Sequence, residues 1–186
     1  MGKIVQEAGT RLYPVPAVLV SCGKGDEANI ITLAWVGTVC SRPPMVAIGV
    51  RPHRYSHGLV EEQGEFVVNL PRADQVEWVD YCGVVSGEVE DKWEACGFTQ
   101  VPASEVEVPL IAECPVNIEC RVRETLSLGA HDLFIGEVVA IQVDEDMADE
   151  RGRFDIEALQ PFAYAGGEYW SLGDKIGEHG FTAKRD

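Results

Sequence analysis

The chain has 186 residues, 46% hydrophobic and 25% charged, which is enough to close a core without disulfides or a metal. Its formal net charge of −16, from 31 acids and 15 bases, argues against nucleic acid or an anionic membrane surface as the main partner. Both of those need a basic face, and the longest nearly apolar run, Ile30 to Cys40, is interrupted by threonines and too short to span a bilayer.

The first third of the chain differs from the rest. Residues 1–60 hold six of the 15 bases but only three of the 31 acids, so an anionic ligand is drawn there. The opening Met1-Gly-Lys-Ile-Val-Gln6 lacks the Ser/Thr of a myristoylation signal. The apolar run Val15-Pro-Ala-Val-Leu-Val20 is too short, and wrongly flanked, for a secretory signal. Six cysteines without a CxxC pair or zinc-type spacing then point to free thiols in a reducing cytoplasm.

Residues 17–23 and 30–37 are β-rich runs joined by a segment of hairpin composition, Lys24-Gly-Asp-Glu-Ala-Asn29. Arg42-Pro-Pro44 turns the chain into a strand over 45–51. Residues 56–63 read as a short helix with Ser56 as N-cap and Gly64 just past its end. A strand over 65–70 stops at Pro71, and residues 73–82 have helical periodicity. A second short helix over 91–96 ends at Gly97, and two long strands follow over 116–125 and 133–143. The second strand gives way to an acidic run from Asp144 to Glu150. This order, β-rich, then small helices, then β-rich again, is not the βαβ alternation of a parallel sheet. It predicts a single mainly β domain with some α, an antiparallel barrel with helices across its openings. The charged tail over 174–186 reads as loose.

Several chemistries find no support. Gly23-Lys-Gly25 begins a dinucleotide loop, but Ala28 takes the third glycine's place. There is no Walker loop and no HExxH, and Cys82-Gly-Val-Val-Ser-Gly87 places its serine one position late for a nucleophile elbow. His53 and His57 stand four apart and can face one metal, but a third ligand at a convincing spacing is missing. Two polar residues around a helix start is the simpler reading.

The segment Asn29-Ile-Ile-Thr-Leu-Ala-Trp-Val-Gly-Thr-Val-Cys-Ser-Arg-Pro-Pro-Met-Val-Ala-Ile-Gly-Val-Arg-Pro-His-Arg-Tyr-Ser56 resembles the FMN-binding signature of the flavin reductase-like family, in the subgroup of the flavoredoxins. The resemblance continues in order through Gly64-Glu-Phe-Val-Val-Asn-Leu-Pro71, Tyr81-Cys-Gly83, Ser86-Gly87 and Asp91-Lys-Trp93. It extends on through Glu113-Cys-Pro115, Glu119-Cys120, Gly129-Ala-His-Asp132, Gly136-Glu-Val138 and Tyr169-Trp170. It implies a six-stranded antiparallel split β-barrel of Greek-key type, a homodimer, and FMN held at or near the dimer interface. It also implies redox chemistry at the isoalloxazine ring. That chemistry is either flavin-dependent oxidoreductase activity with NAD(P)H as donor, or non-enzymatic electron carriage between redox proteins.

By this resemblance Arg54, Ser56 and Lys92 hold the FMN phosphate, with Arg51 in support. A phosphate dianion needs cations and N–H or O–H donors, and three of these four residues share one short loop. Lys92, between Asp91 and Trp93, otherwise reads as a solvated helix residue. Asn29 is expected to bond polar groups of the flavin, and Thr32, Leu33 and Ala34 to offer backbone groups to the ring. Trp35 packs on the ring or belongs to the core. Cys40 approaches the isoalloxazine or is a small buried apolar residue. His131 is expected to contact the flavin and relay a proton, and Tyr164 to close over the ring from the C-terminal segment.

Overall fold

The computed structural model describes residues 2–149 and 152–183. Glu150, and the last three residues of the tail expected to be loose, lie outside the described residues. The elements in chain order are β1 (Val15–Pro16), β2 (Val18–Cys22), β3 (Asn29–Leu33), β4 (Val36–Ser41), β5 (Pro44–Val50), α1 (Tyr55–Gln63) and β6 (Glu65–Leu70). There follow α2 (Val76–Val84), α3 (Lys92–Cys96), β7 (Gln100–Val101), β8 (Leu110–Ile111), β9 (Val116–Ser127), β10 (Asp132–Val143), α4 (Ile156–Leu159), β11 (Phe162–Ala165) and β12 (Glu168–Ser171).

Seven strands form the principal sheet in the order β3-β2-β6-β9-β10-β5-β4, every neighbouring pair antiparallel. Its two edge strands are consecutive in the chain, joined only by Ala34 and Trp35. A flat sheet of seven strands would hold its edges roughly 29 Å apart at about 4.8 Å per step. The link from Leu33 to Val36 reaches at most about 11 Å. The sheet therefore curls until its edges approach, and the Gly49 N–H donates to the Trp35 carbonyl at 2.8 Å, which carries the β4–β5 pairing up to the corner. The same break explains why the sheet has seven strands where six were expected. The β-rich run over 30–37 is not one strand but the end of β3, a two-residue corner, and the start of β4.

Strand β2 is buried along its whole length because both its faces are covered. Period-two alternation sends Val18, Val20 and Cys22 into the barrel interior with Ile48, Phe66 and Phe134. Leu19, with Ala17 before the strand, turns outward to meet Val79 of α2, Trp93 of α3, and Ile111 of β8. Helix α1 sends Val60 into the interior core, as a helix across an opening does. Helices α2 and α3 instead lie on the outer face of β2 and β3, a position that their periodicity alone did not specify. Gly64 and Gly97 end α1 and α3 with φ of 67° each, the left-handed conformation glycine adopts without a Cβ clash.

The N-cap of α1 is Arg54, not Ser56, which sits inside the first turn with its side chain used elsewhere. Asp91 caps α3, its Oδ1 accepting from the N–H groups of Trp93 at 2.8 Å and Glu94 at 3.3 Å. Glu119 is buried on β9 and accepts bonds from the Ser104 N–H and hydroxyl, the Glu105 N–H and the Gln142 amide. Burial pushes its carboxyl up, but these four donors together hold it below the usual range. The carboxylate thus ties the loop before β8 to the sheet. All six cysteines are free thiols, five of them buried.

Candidate functional site

A trough runs where the rolled edge of β3 meets the β5–α1 loop and the segment between α2 and α3. Its wide end encloses about 290 Å³, against β3, the Ala34-Trp35 corner, Gly49, Arg51, His131, Tyr164 and Tyr169. Its narrow end encloses about 10 Å³ between Asn29, Tyr55, Ser56, Ser86, Gly87 and Lys92. Ile31 and Arg54 line both ends, so the two adjoin. No Asp or Glu lines either end, although the chain has twice as many acids as bases.

At the narrow end the side chains are locked together. Asn29 and Ser56 are both buried, and the Asn29 amide donates to the Ser56 hydroxyl at 2.8 Å. Gly87 passes so close that a Cβ there would stand 2.1 Å from Asn29 Oδ1, so only glycine lets this segment close against β3. Lys92 is 3% exposed. Its ammonium donates to the Ile30 carbonyl at 2.8 Å and the Cys82 carbonyl at 3.0 Å, and no carboxylate pairs with it among the described residues. Burial holds its pKa below the usual 10.5, the neighbouring Arg54 charge adding to that. A charged group placed at such cost is commonly matched by an anion, and this one opens onto a pocket lined by no carboxylate.

The wide end has different chemistry. Strand β3 is an edge of the sheet, and the Thr32 hydroxyl turns away to donate to the Val79 carbonyl of α2. What Thr32, Leu33 and Ala34 present to the trough is therefore largely backbone. Trp35 stacks with the His131 ring, centroids 6.4 Å apart at 29°. Arg51 Nε donates to His131 Nε2 at 3.4 Å. Because guanidinium only donates, that nitrogen of His131 is the acceptor and its proton sits on Nδ1. Burial, then the Arg51 and His53 charges, lower the His131 pKa below 6.5. The His131 resonances are accordingly expected to titrate with a midpoint below 6.5 in an NMR pH series. Arg51→Gln should move the midpoint upward, and an unmoved midpoint would mean that the guanidinium charge does not reach the ring.

Next to His131, Asp132 Oδ2 bonds His57 Nε2 at 2.8 Å. Hydrogen bonds from His57 and Ser127 hold the Asp132 carboxyl below its usual range. This pair ties the start of β10 to α1 and so fixes where His131 stands. It also occupies His57, which stands four residues from His53, and the described residues hold no group of three or more potential metal ligands.

Of the twelve residues expected at a flavin site, Asn29, Ser56 and Lys92 line the narrow end, and Arg54 lines both. Thr32, Leu33, Ala34, Trp35, His131 and Tyr164 line the wide end. The remaining two are Arg51 and Cys40. Arg51 lines the wide end against His131, directly after β5 and four residues before α1 begins. Cys40 lines neither end, because the β4 strand that carries it runs away from the corner at Trp35. Sequence reasoning missed Tyr169, whose ring packs edge-on to Tyr164 with centroids 5.8 Å apart, and gave Ser86-Gly87 no task. Both lay within quoted motifs, but nothing in the sequence showed which wall they would form.

Comparison with known proteins agrees with this architecture. The flavoredoxin of Desulfovibrio vulgaris (Miyazaki F) superposes with a TM-score of 0.91 at 33% identity, over 98% of this chain and 100% of that one. The flavoredoxin of Methanosarcina acetivorans gives a TM-score of 0.91 at 35% identity, over 99% and 98%. An uncharacterized protein of Pyrococcus abyssi is 35% identical over 165 residues, 89% of this chain and 94% of its own. The family model of the flavin reductase like domain matches residues 10–173. With its curled antiparallel sheet and this trough, the chain belongs to the flavin reductase-like family.

Proposed function

We propose that this protein binds FMN in the trough and transfers electrons through it as an oxidoreductase with a dihydronicotinamide donor. The observation that carries the reading is Lys92, a buried ammonium without a carboxylate partner among the described residues, facing a narrow pocket with Arg54, Ser56 and Asn29. A phosphate dianion fits that donor set in charge and hydrogen-bonding type. The wide end suits the remaining parts of the molecule. It is walled by Trp35 and Tyr164 and edged by the open backbone of β3.

When bound, FMN supplies two-electron redox chemistry at its isoalloxazine ring. Lys92 and Arg54 neutralise the phosphate, and β3 orients the ring through backbone groups. Tyr164 would limit water at one face, and His131, with its proton on Nδ1, would relay a proton by taking one at Nε2 as it releases the one at Nδ1. A homodimer is the assembly we propose, on the family likeness and on the exposed apolar Val39 of edge strand β4. A cytoplasmic setting accords with six free thiols; among the described residues no helix is long and apolar enough to cross a membrane.

The net charge of −16 favours a second reading, a flavin-loaded carrier that docks to basic redox proteins. The visible spectrum of the protein purified without added flavin, repeated anaerobically with NADH and NADPH, separates the two. A yellow protein bleached by a nucleotide is the expected result. A yellow protein unmoved by either supports the carrier, whose transfer rates should then fall steeply with salt. A colourless protein that binds no FMN overturns both.

A further inference from the structure

Two cations suffice for a phosphate dianion, and Lys92 and Arg54 supply them at the narrow end. Arg51 is a third, at the opposite end of the trough, and among the described residues it forms no ion pair with a carboxylate. It lines a trough whose walls carry no carboxylate, so its charge is open to an anionic ligand that enters there. Its Nε donates to His131, and among the described residues its terminal N–H groups have no hydrogen-bond partner. Trp35 and the His131 ring lie stacked beside it, a surface for a planar group.

We propose that Arg51, braced by His131, binds the phosphate charge of the electron donor, so that the protein selects phosphate-bearing dihydronicotinamides over neutral ones. The inference rests on the proposed FMN function and names the donor's recognition point within it. In the step it serves, the dihydropyridine ring gives up a hydride and becomes a pyridinium, and the flavin takes the hydride with one further proton. The electrons and protons balance without another reactant. Arg51 binds the donor and takes no part in the bond exchange.

The test compares NADH, reduced nicotinamide mononucleotide and the uncharged 1-benzyl-1,4-dihydronicotinamide as donors to the flavin-loaded protein. The ratio of kcat/KM for NADH to that for the neutral donor should fall roughly tenfold or more in Arg51→Gln, the loss expected for one charge-assisted contact. Arg51→Lys should restore part of it. Calorimetric titration of the holoprotein with NAD+, which needs no turnover, should show a weaker Kd in Arg51→Gln by a similar factor. In the wild type the NADH rate should fall with salt while the neutral donor's stays flat. The mononucleotide tells which phosphate is read: preference equal to that of NADH places Arg51 on the nicotinamide-side phosphate, an intermediate value on the diphosphate as a whole. An unchanged donor ratio and an unchanged NAD+ Kd overturn the Arg51 site alone. A flavin-loaded protein that no dihydronicotinamide reduces overturns this inference and the reductase reading together.

Discussion

Replacing Lys92 with Met should lower FMN affinity by about 100-fold or more while the affinity for riboflavin, which lacks the phosphate, changes little. A hundredfold corresponds to about 2.7 kcal/mol, within reach of one buried charge-assisted contact at about 1.5–3 kcal/mol plus its Coulombic attraction. The effect should be large because the ammonium is almost entirely removed from water, and among the described residues its hydrogen bonds go to the Ile30 and Cys82 carbonyls and to no carboxylate. Fluorescence titration with the two flavins measures it, and an FMN-to-riboflavin preference equal to the wild type's would take Lys92 out of the phosphate site.

The same residue makes a statement about stability. Its folded pKa lies below the unfolded value near 10.5, so between the two the unfolded state binds more protons. Flavin-free protein should therefore gain stability as pH rises through that window, and Lys92→Met should not. At neutral pH the variant loses two hydrogen bonds but also the cost of burying an ammonium, and these oppose one another. Denaturant unfolding of the flavin-free variant should stay within about 2 kcal/mol of wild type.

Asn69→Leu should destabilise the fold by roughly 3 kcal/mol, since it strands several buried polar groups at once. Asn69 Nδ2 donates to the Leu19 carbonyl at 3.2 Å and the Ser21 hydroxyl at 3.1 Å. Its Oδ1 accepts from the Ile111 N–H at 3.1 Å and from the Asn117 amide at 2.8 Å. Ser21 in turn donates to the Pro109 carbonyl at 2.6 Å. The network thus pins the segment before and through β8 across β2, β6 and β9, on the face opposite the barrel interior. Leucine has a similar volume but repairs none of these bonds. A fall in the urea midpoint with an unchanged slope is the expected signature. A loss below about 1 kcal/mol would mean the segment is held by its apolar contacts at Val106, Val108 and Leu110 instead.

The long strands, α1 and its closing glycine were legible because each carries a local signal: alternation, a turn residue, a stop. Strands β7 and β8 have two residues each, too short for any period, and exist only because the Asn69 network and the outer-face core hold them. The small sheet of β1, β11 and β12 joins Val15 to Tyr164, a pairing no local pattern can announce. Ser56 resembled a cap because Ser at a helix start usually is one. Here Asn29, 27 residues away, uses its hydroxyl instead.

From the sequence by itself came the mainly β order, the basic first third, the family likeness, and eleven of the residues that converge on one trough. Those depend on residue type and spacing, which are local. Only the tertiary structure decided that β3 and β4 close the two edges of one sheet, because a two-residue link cannot cross a flat one. It decided likewise that Lys92 is buried rather than solvated, since its carbonyl partner at Ile30 lies 62 residues away. It also put Arg51 beside His131, 80 residues distant, at the far end from the phosphate pocket. A side chain's charge is written in the sequence, but the water, carbonyl or counter-ion that meets it is set by where the folded chain brings distant residues together.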